Sequence, residues 1–151
     1  MYPDLIAAKQ LIYNPCGYLL SNFLAEEESR EYSACTFNLN TISVKFRSAK
    51  ITPTKTGQFV TLWKRDSSGI TQPHEDSDRI DVFVISVRKD NLFGQFVFPK
   101  SALIEHGILS TGTKEGKRGF RVYPSWDITT NKQAQSTQRW QLEFFIGLND
   151  P

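Results

Sequence analysis

The sequence predicts a mixed α/β fold of the α+β class, in which a central mixed β-sheet is flanked by helices. Strand-like segments rich in Phe, Val and Ile occupy the middle of the 151-residue chain, and segments with helical spacing lie towards both ends. No internal repeat and no long linker interrupts this order. We therefore predict that residues 1–151 form a single domain.

Four segments are predicted to be helical from the spacing of their apolar residues and from their end signals. Asn22 is a potential N-cap of the second, and the acids that follow suit the positive end of a helix dipole. Pro99 stands where the third begins, and Trp140 in the fourth is predicted to pack inside the fold. The segments are residues 3–13, 22–32, 99–106 and 131–147.

Alternating and continuous apolar runs predict the strands. Residues 82–85 are apolar without a break, which is typical of a strand buried on both faces. Asp90 and Asn91 follow that strand, so we expect a turn and a hairpin with the next one. The predicted strands are residues 36–46, with a turn near 38–40, and residues 59–64, 80–87, 93–98 and 120–123.

Composition excludes several classes of protein. No apolar run approaches the roughly 20 residues of a membrane helix. The N-terminus has an early acid, Asp4, and no preceding basic region, so no secretory signal is expected. Two cysteines do not form a disulfide framework, and Cys35 is predicted to be buried and structural. We therefore expect a cytoplasmic, reduced protein with no membrane association.

The charge is unevenly distributed, although the net charge is only +2. Residues 32–65 contain six Lys or Arg and no acid, whereas residues 66–81 contain five acids and one Arg. The basic stretch suits a surface that meets phosphates. Alternatively, its bases pair with the acids of neighbouring segments across the fold, and the sequence leaves both interpretations open.

A metal-dependent nuclease needs an acid on one strand and an Asp/Glu-x-Lys triplet on the next. Asp81 is a candidate for the first acid, but the following strand has Gln95 and Val97 at the other two positions. One triplet fits, from Glu115 to Lys117, and it lies in a Gly-rich loop. We expect no intact catalytic set, while a displaced site formed by Asp81, Glu115 and Lys117 remains a weak alternative.

Metal ions and cofactors are not expected. His74 stands beside Glu75, Asp76 and Asp78, but the spacing matches no calcium-binding loop. We predict that residues 66–78 form a solvated surface loop. The same acidic loop supports a different hypothesis, in which the chain is a regulator that binds another protein through residues 75–78.

The candidate nucleic-acid-binding residues lie in two basic segments. Their Lys and Arg side chains are suited to phosphate contacts, and Thr54 and Gln58 add short polar donors beside a glycine. Trp63, Tyr123 and Trp126 are candidates for stacking on unpaired bases, although packing is the more ordinary role of such residues. The candidates for backbone contact are Lys50, Thr54, Lys55, Gln58, Lys64, Arg65, Lys117, Arg118 and Arg121.

Long strings of the sequence resemble the MepB family of small bacterial proteins. They are EYSACTF at residues 31–37, FRSAKITPTKTGQFVTLWKR at 46–65, FGQFVFPK at 93–100, EGKRGFRVYP at 115–124, and NKQA at 131–134 with Thr137, Gln138 and Trp140. The family takes its name from a gene beside a multidrug efflux pump. The resemblance implies a fold similar to the PD-(D/E)XK endonuclease core, generally without an intact catalytic set, and binding of nucleic acid, either DNA or RNA.

Overall fold

The computed structural model describes residues 1–148, in which strands dominate the middle of the chain and α-helices are short. The helices are α1 (Pro3–Ala8), which continues as a π-helical turn (Lys9–Tyr13), α2 (Lys100–Glu105) and α3 (Lys132–Gln141). The strands are β1 (Leu20–Ala25), β2 (Cys35–Leu39), β3 (Ile42–Ser48), β4 (Lys50–Ile51), β5 (Gln58–Thr61), β6 (Trp63–Arg65), β7 (Thr71–Pro73), β8 (Val82–Lys89), β9 (Leu92–Pro99), β10 (Gly119–Val122) and β11 (Phe145–Gly147).

A six-stranded sheet in the order β1-β2-β3-β8-β9-β11 forms the centre of the fold. Its neighbouring strands are antiparallel except for β3 and β8, which pair in parallel from Val44↔Val82 to Ser48↔Ser86. The parallel pair requires a crossover, and residues 49–81 supply it. The predicted class, a mixed α+β fold around a central mixed sheet, is confirmed.

Two smaller sheets are added to this frame. Strands β4, β5 and β10 form one, in which β5 lies in the middle, and β6 pairs with β7 in the other. The three-stranded sheet therefore joins the crossover between β3 and β8 to a strand that comes much later in the chain. This joining is what builds the candidate site described below.

The two faces of the six-stranded sheet bury separate apolar cores. On one face, α1 and the π-helical turn place Leu5, Ala8 and Tyr13 against Phe37 and Phe46. On the other face, β8 and β9 contribute the aromatic and aliphatic side chains that the continuous apolar run predicted, and residues of β5, β10 and α2 cover them. That second core includes Phe83, Ile85, Phe96, Phe98, Val60, Leu103 and Val122.

Several predicted elements are confirmed. The first helix begins at Pro3, and the helix at residues 99–106 is α2. Residues 36–46 form two strands, and the turn between them places Asn40 at a φ of 54°. The hairpin of β8 and β9 turns at Asp90, whose φ is also 54°. A short polar side chain tolerates this left-handed conformation better than most, which is why these residues identify the turns.

The prediction of a second helix over residues 22–32 is wrong. Residues 20–25 form β1, which pairs with β2 through Leu20↔Leu39 and Ala25↔Cys35, and a 3₁₀ turn (Arg30–Tyr32) follows. A bulge between Ser21 and Leu24 gives Asn22 a φ of 56° and interrupts the alternation that would have identified a strand. The acids that resembled the start of a helix, at residues 26–28, follow the end of β1.

Two further boundaries differ from the prediction. Residues 59–64 divide between β5 and β6, because the Leu62 N–H bonds to the Arg118 carbonyl at 2.8 Å where the chain leaves the three-stranded sheet. The terminal helix ends at Gln141, and a 3₁₀ turn (Leu142–Phe144) leads into β11. Strand β11 docks on β9 because Gly94 lacks a side chain, since a Cβ there would lie 2.5 Å from the ring of Phe145. No helix among residues 1–148 is long and apolar enough to cross a membrane.

Candidate nucleic-acid interface

A groove made of neighbouring cavities lies beside α3, β10 and the loop of residues 52–57. It consists of three adjoining cavities of about 460, 350 and 410 Å³. The first and second share Arg121, Tyr123 and Asn131, and the second and third share the loop residues 54–56. We refer to these three cavities together as the groove.

Arg121 connects the two basic segments that the sequence left apart. Its guanidinium donates to the Thr56 carbonyl at 3.2 Å, to the Gly57 carbonyl at 3.3 Å and to the Thr52 hydroxyl at 2.5 Å. Because β10 also pairs with β5, the loop at residues 52–57 and the basic segment at 115–121 belong to one surface. Arg121 therefore holds the loop in place and adds positive charge to the groove.

Four basic side chains line the groove, from Lys117 at one end through Arg121 and Lys55 to Lys89 at the other. Among the described residues that line it, Asp127 is the one carboxylate. Burial raises the pKa of Asp127, while Lys89 and the Gly57 N–H act to lower that pKa. The groove is therefore predominantly positive and suits an anionic ligand.

The helix α3 presents its N-terminal end to the groove. The Asn131 side chain accepts from the Ala134 N–H at 2.8 Å and so caps the helix, and both residues line the first two cavities. At the other end, the Gln141 carboxamide accepts from the Tyr123 N–H and donates to the Arg121 carbonyl, both at 2.9 Å. These two bonds fix α3 against the outer edge of β10.

Aromatic rings lie along the same path. Trp140 stacks on His106 with ring centres 3.8 Å apart and planes 3° apart, and both line the first cavity. Tyr123 lines the first and second cavities, and Trp126 lines the third. Trp140 also packs on Phe98 at 5.5 Å, which confirms its predicted packing role.

Gly57 allows the loop and Tyr123 to approach each other. Its φ is +82°, and a Cβ at this position would lie 2.7 Å from the Tyr123 ring and 2.9 Å from the Val122 carbonyl. Both conditions favour glycine, because other residues are strained at such a φ and no space exists for a side chain. The shape of the groove thus depends on this residue.

We expect Gly57→Ala to destabilise the fold by about 1–3 kcal/mol, because strain at positive φ adds to the collision with Tyr123. Chemical denaturation of both proteins measures this loss. Gly69→Ala is the matched control, since Gly69 has a φ of +81° with open space around it. Equal losses at the two positions would show that the Tyr123 contact contributes nothing.

Several predicted binding residues lie in ion pairs outside the groove. Lys64 bonds to Asp78 at 2.7 Å and lies 3.2 Å from Glu75. Arg65 lies 3.4 Å from Glu28, and its guanidinium stands over the ring of Trp63 at 5.2 Å. For these bases the alternative interpretation, pairing with acids of neighbouring segments, describes the structure.

The remaining candidates are divided between the groove and other contacts. Thr54, Lys55 and Lys117 are exposed and line the groove. Lys50 stands over the Tyr32 ring at 4.9 Å, and Arg118 pairs with Glu115 at 3.2 Å. Lys89, Asn131 and Trp140 line the groove without having been predicted as binding residues. No local motif identifies Lys89, which is the last residue of β8.

Gln58 does not offer its side chain to a ligand, contrary to the sequence prediction. The residue is only 2% exposed, and its amide nitrogen donates to the Arg88 carbonyl at 3.2 Å. This bond attaches β5 to the end of β8. Gln58 is therefore a support of the groove loop, and the alternating pattern of β5, in which Gln58 and Val60 point inwards, explains its burial.

A buried charge network lies on the sheet face beside the 66–78 segment. The Arg47 side chain is fully buried and donates two hydrogen bonds to Glu26, at 3.1 and 3.0 Å. Lys45 lies 3.5 Å from the same carboxylate, and burial lowers the pKa of Lys45. Two further bases of the acid-free stretch thus share one acid, Glu26, which directly follows β1.

The prediction that residues 66–78 form a solvated loop is wrong at His74. This residue is 1% exposed, its Nδ1 lies 3.3 Å from Asp78, and its ring packs on Phe83. Burial, together with Lys45 and Arg47, lowers the pKa of His74 to about 3, although Asp78 acts to raise it. His74 is therefore neutral at physiological pH, and β7 precedes it directly.

The two acids of the displaced nuclease site are engaged in different contacts. Asp81 accepts from the Ser43 N–H at 2.9 Å, whereas Glu115 pairs with Arg118 in the loop after α2. Gln95 is buried in β9 and accepts from the Tyr13 hydroxyl at 2.8 Å. Within residues 1–148, no three His, Cys, Asp or Glu side chains are grouped so that they could hold a metal ion.

Comparison with known proteins identifies the family. The MepB-like family model matches residues 26–147. The chain belongs to the MepB-like family. The solved structure described as the crystal structure of MepB is 36% identical to it, with a TM-score of 0.86 over the full length of both chains.

A second solved structure, a bacterial homing endonuclease named I-Ssp6803I, is similar with a TM-score of 0.49 and 15% identity. That match covers 93% of this chain and 86% of the endonuclease. A search of curated proteins found no match.

Proposed function

We propose that this MepB-like protein binds nucleic acid in the groove, mainly through phosphate contacts, and does not cleave it. The observation that carries the proposal is that each of the three adjoining cavities is lined by basic side chains, while Asp127 is the one carboxylate among the described lining residues. These bases are Lys117, Arg121, Lys55 and Lys89. A polyanion that follows such a path meets a basic side chain in each cavity.

The supporting details concern donors that suit phosphate oxygens. The exposed hydroxyls of Thr54 and Thr56 stand beside Lys55 in the loop that Arg121 holds. The capped N-terminus of α3 adds the positive end of a helix dipole. These groups read no sequence by themselves, so they account for general affinity for DNA or RNA.

The chemistry of the groove lining supports the proposal that the protein does not cleave its ligand. Metal-assisted hydrolysis needs carboxylates that hold the ion beside the scissile phosphate. The described lining residues include one acid, and Glu115 is engaged with Arg118. We infer that the bound strand stays intact.

The test is fluorescence anisotropy with labelled single strands and duplexes of DNA and RNA across a salt series. The double variant Lys55→Ala/Lys117→Ala is expected to bind more weakly. On a single strand, its negative slope of log affinity against log salt should be shallower by about 1.4, because two phosphate contacts are lost. The control pair, Lys9→Ala/Arg79→Ala, removes the same charge from residues that do not line the groove.

Three outcomes would contradict the proposal. Equal losses in the groove and control variants would mean that binding does not use the groove. No binding by the unmodified protein at low salt would exclude nucleic acid as the ligand and favour the hypothesis of a protein partner. Incubation with Mg²⁺ or Mn²⁺ tests the absence of cleavage, and a product that Asp81→Ala abolishes would establish the displaced nuclease site instead.

A further inference from the structure

The third cavity of the groove differs from the other two in its lining. It combines the groove's one carboxylate, Asp127, with the neighbouring Trp126 and Ile128 and with the two bases Lys55 and Lys89. Ile128 is 82% exposed, the highest value among the large hydrophobic residues described. The Trp126 ring is half-buried and packs on Phe145 at 5.8 Å, and it lines the same cavity as Ile128. Together the two residues offer an apolar surface that a flat apolar group would cover.

The lining matches the parts of one nucleotide. Lys55 and Lys89 suit the phosphate, and Trp126 and Ile128 suit the faces of a base. Asp127 then meets the base edge, where a carboxylate accepts hydrogen bonds and cannot donate them. Only base edges that present N–H groups are therefore compatible with it.

Guanine fits this requirement better than the other bases. Its Watson–Crick edge presents two adjacent N–H donors, N1–H and the 2-amino group, which two carboxylate oxygens can accept together. Adenine and cytosine present one amino group there, and thymine and uracil present one ring N–H.

We propose that the third cavity binds one unpaired guanine of a single strand, with Asp127 as the residue that selects the base. This inference rests on the proposed function, since it assigns the base preference of the same groove. A base paired in a duplex has its Watson–Crick edge occupied, so the preference is confined to single strands.

The experiment compares oligothymidylates about 12 nucleotides long. One carries a central guanine, and the others carry inosine, adenine or cytosine at that position. Anisotropy at fixed salt should show that the guanine strand binds about five- to tenfold more tightly than the all-thymine strand. The inosine strand lacks the 2-amino group, so its binding to the unmodified protein should lose most of this gain in affinity.

Asp127→Asn should abolish the preference for guanine. The variant should also bind every strand somewhat more tightly than the unmodified protein binds the all-thymine strand, because the substitution removes a negative charge from the groove. Asp76→Asn is the matched control, since it makes the same change at an exposed residue outside the groove. It should keep the preference.

The outcomes separate this inference from the proposed function. Equal affinity for the guanine and thymine strands overturns the guanine site and leaves the groove as a phosphate-binding surface. A preference that persists in Asp127→Asn overturns the role of that residue. Failure of all strands to bind at low salt overturns both proposals.

Discussion

Glu26→Gln is expected to lower the free energy of unfolding by about 3–5 kcal/mol, the usual cost of removing one partner from a buried ion pair. The Arg47 side chain is fully buried and directs two hydrogen bonds at the Glu26 carboxylate. Without that carboxylate the guanidinium charge stays inside the fold, close to Lys45, and among residues 1–148 no other acid forms an ion pair with Arg47.

Urea denaturation measures this effect, and Glu28→Gln is its control. Glu28 pairs with Arg65 at 3.4 Å, but both side chains are partly exposed, at 35% and 49%. An exposed ion pair contributes only about 0–1 kcal/mol. The double variant Glu26→Gln/Arg47→Met should recover much of the loss, because it removes the charge that was left unpaired. Similar losses for Glu26→Gln and Glu28→Gln would contradict the account of the network.

The second large effect is a loss of stability in acid that depends on His74. The pKa of His74 in the folded protein is about 3, against about 6.5 for an exposed histidine. Between these values the unfolded chain binds a proton that the folded protein does not. The contribution of His74 is therefore fully present above pH 6.5 and is lost as the pH falls towards 3, by about 2–3 kcal/mol at pH 4.5.

The measurement compares the unfolding free energy of the unmodified protein and of His74→Gln at pH 7.5 and pH 4.5. His74→Gln lowers stability at neutral pH because it disturbs a buried site, but its stability should depend less steeply on pH. Comparing how the unfolding free energy of each protein changes with pH removes the contribution of the many carboxylates that both proteins share. Parallel pH curves for the two proteins would show that His74 does not control the acid transition.

The parts of the fold that the sequence predicted are those with strong local signals. The apolar run at residues 82–85 and the turn at Asp90 identified the central hairpin, and the spacing from Pro3 to Tyr13 identified the first helix. Strand β1 was missed because its bulge at Asn22 breaks the alternation and because the acids after it imitate a helix start. His74 was misplaced because its neighbours in sequence are polar, whereas its burial comes from Phe83.

The candidate site was predictable only in its components. The sequence placed Lys55, Lys117 and Arg121 in two basic segments, but the contact that joins them, from Arg121 to Thr56, spans 65 positions. Lys64 and Arg65 were predicted as binding residues from a local absence of acids. Their partners, Asp78 and Glu28, come from segments on either side, and only the tertiary fold brings them together.

The pairing of Gln141 with β10 also protects an exposed strand edge. Strand β10 is an edge strand, and such an edge exposes free N–H and C=O groups that can recruit a strand from another molecule. The Gln141 carboxamide occupies the Tyr123 N–H and the Arg121 carbonyl, two groups that an added strand would otherwise bond. A side chain thus blocks part of this edge against strand addition, beside the groove that it leaves open.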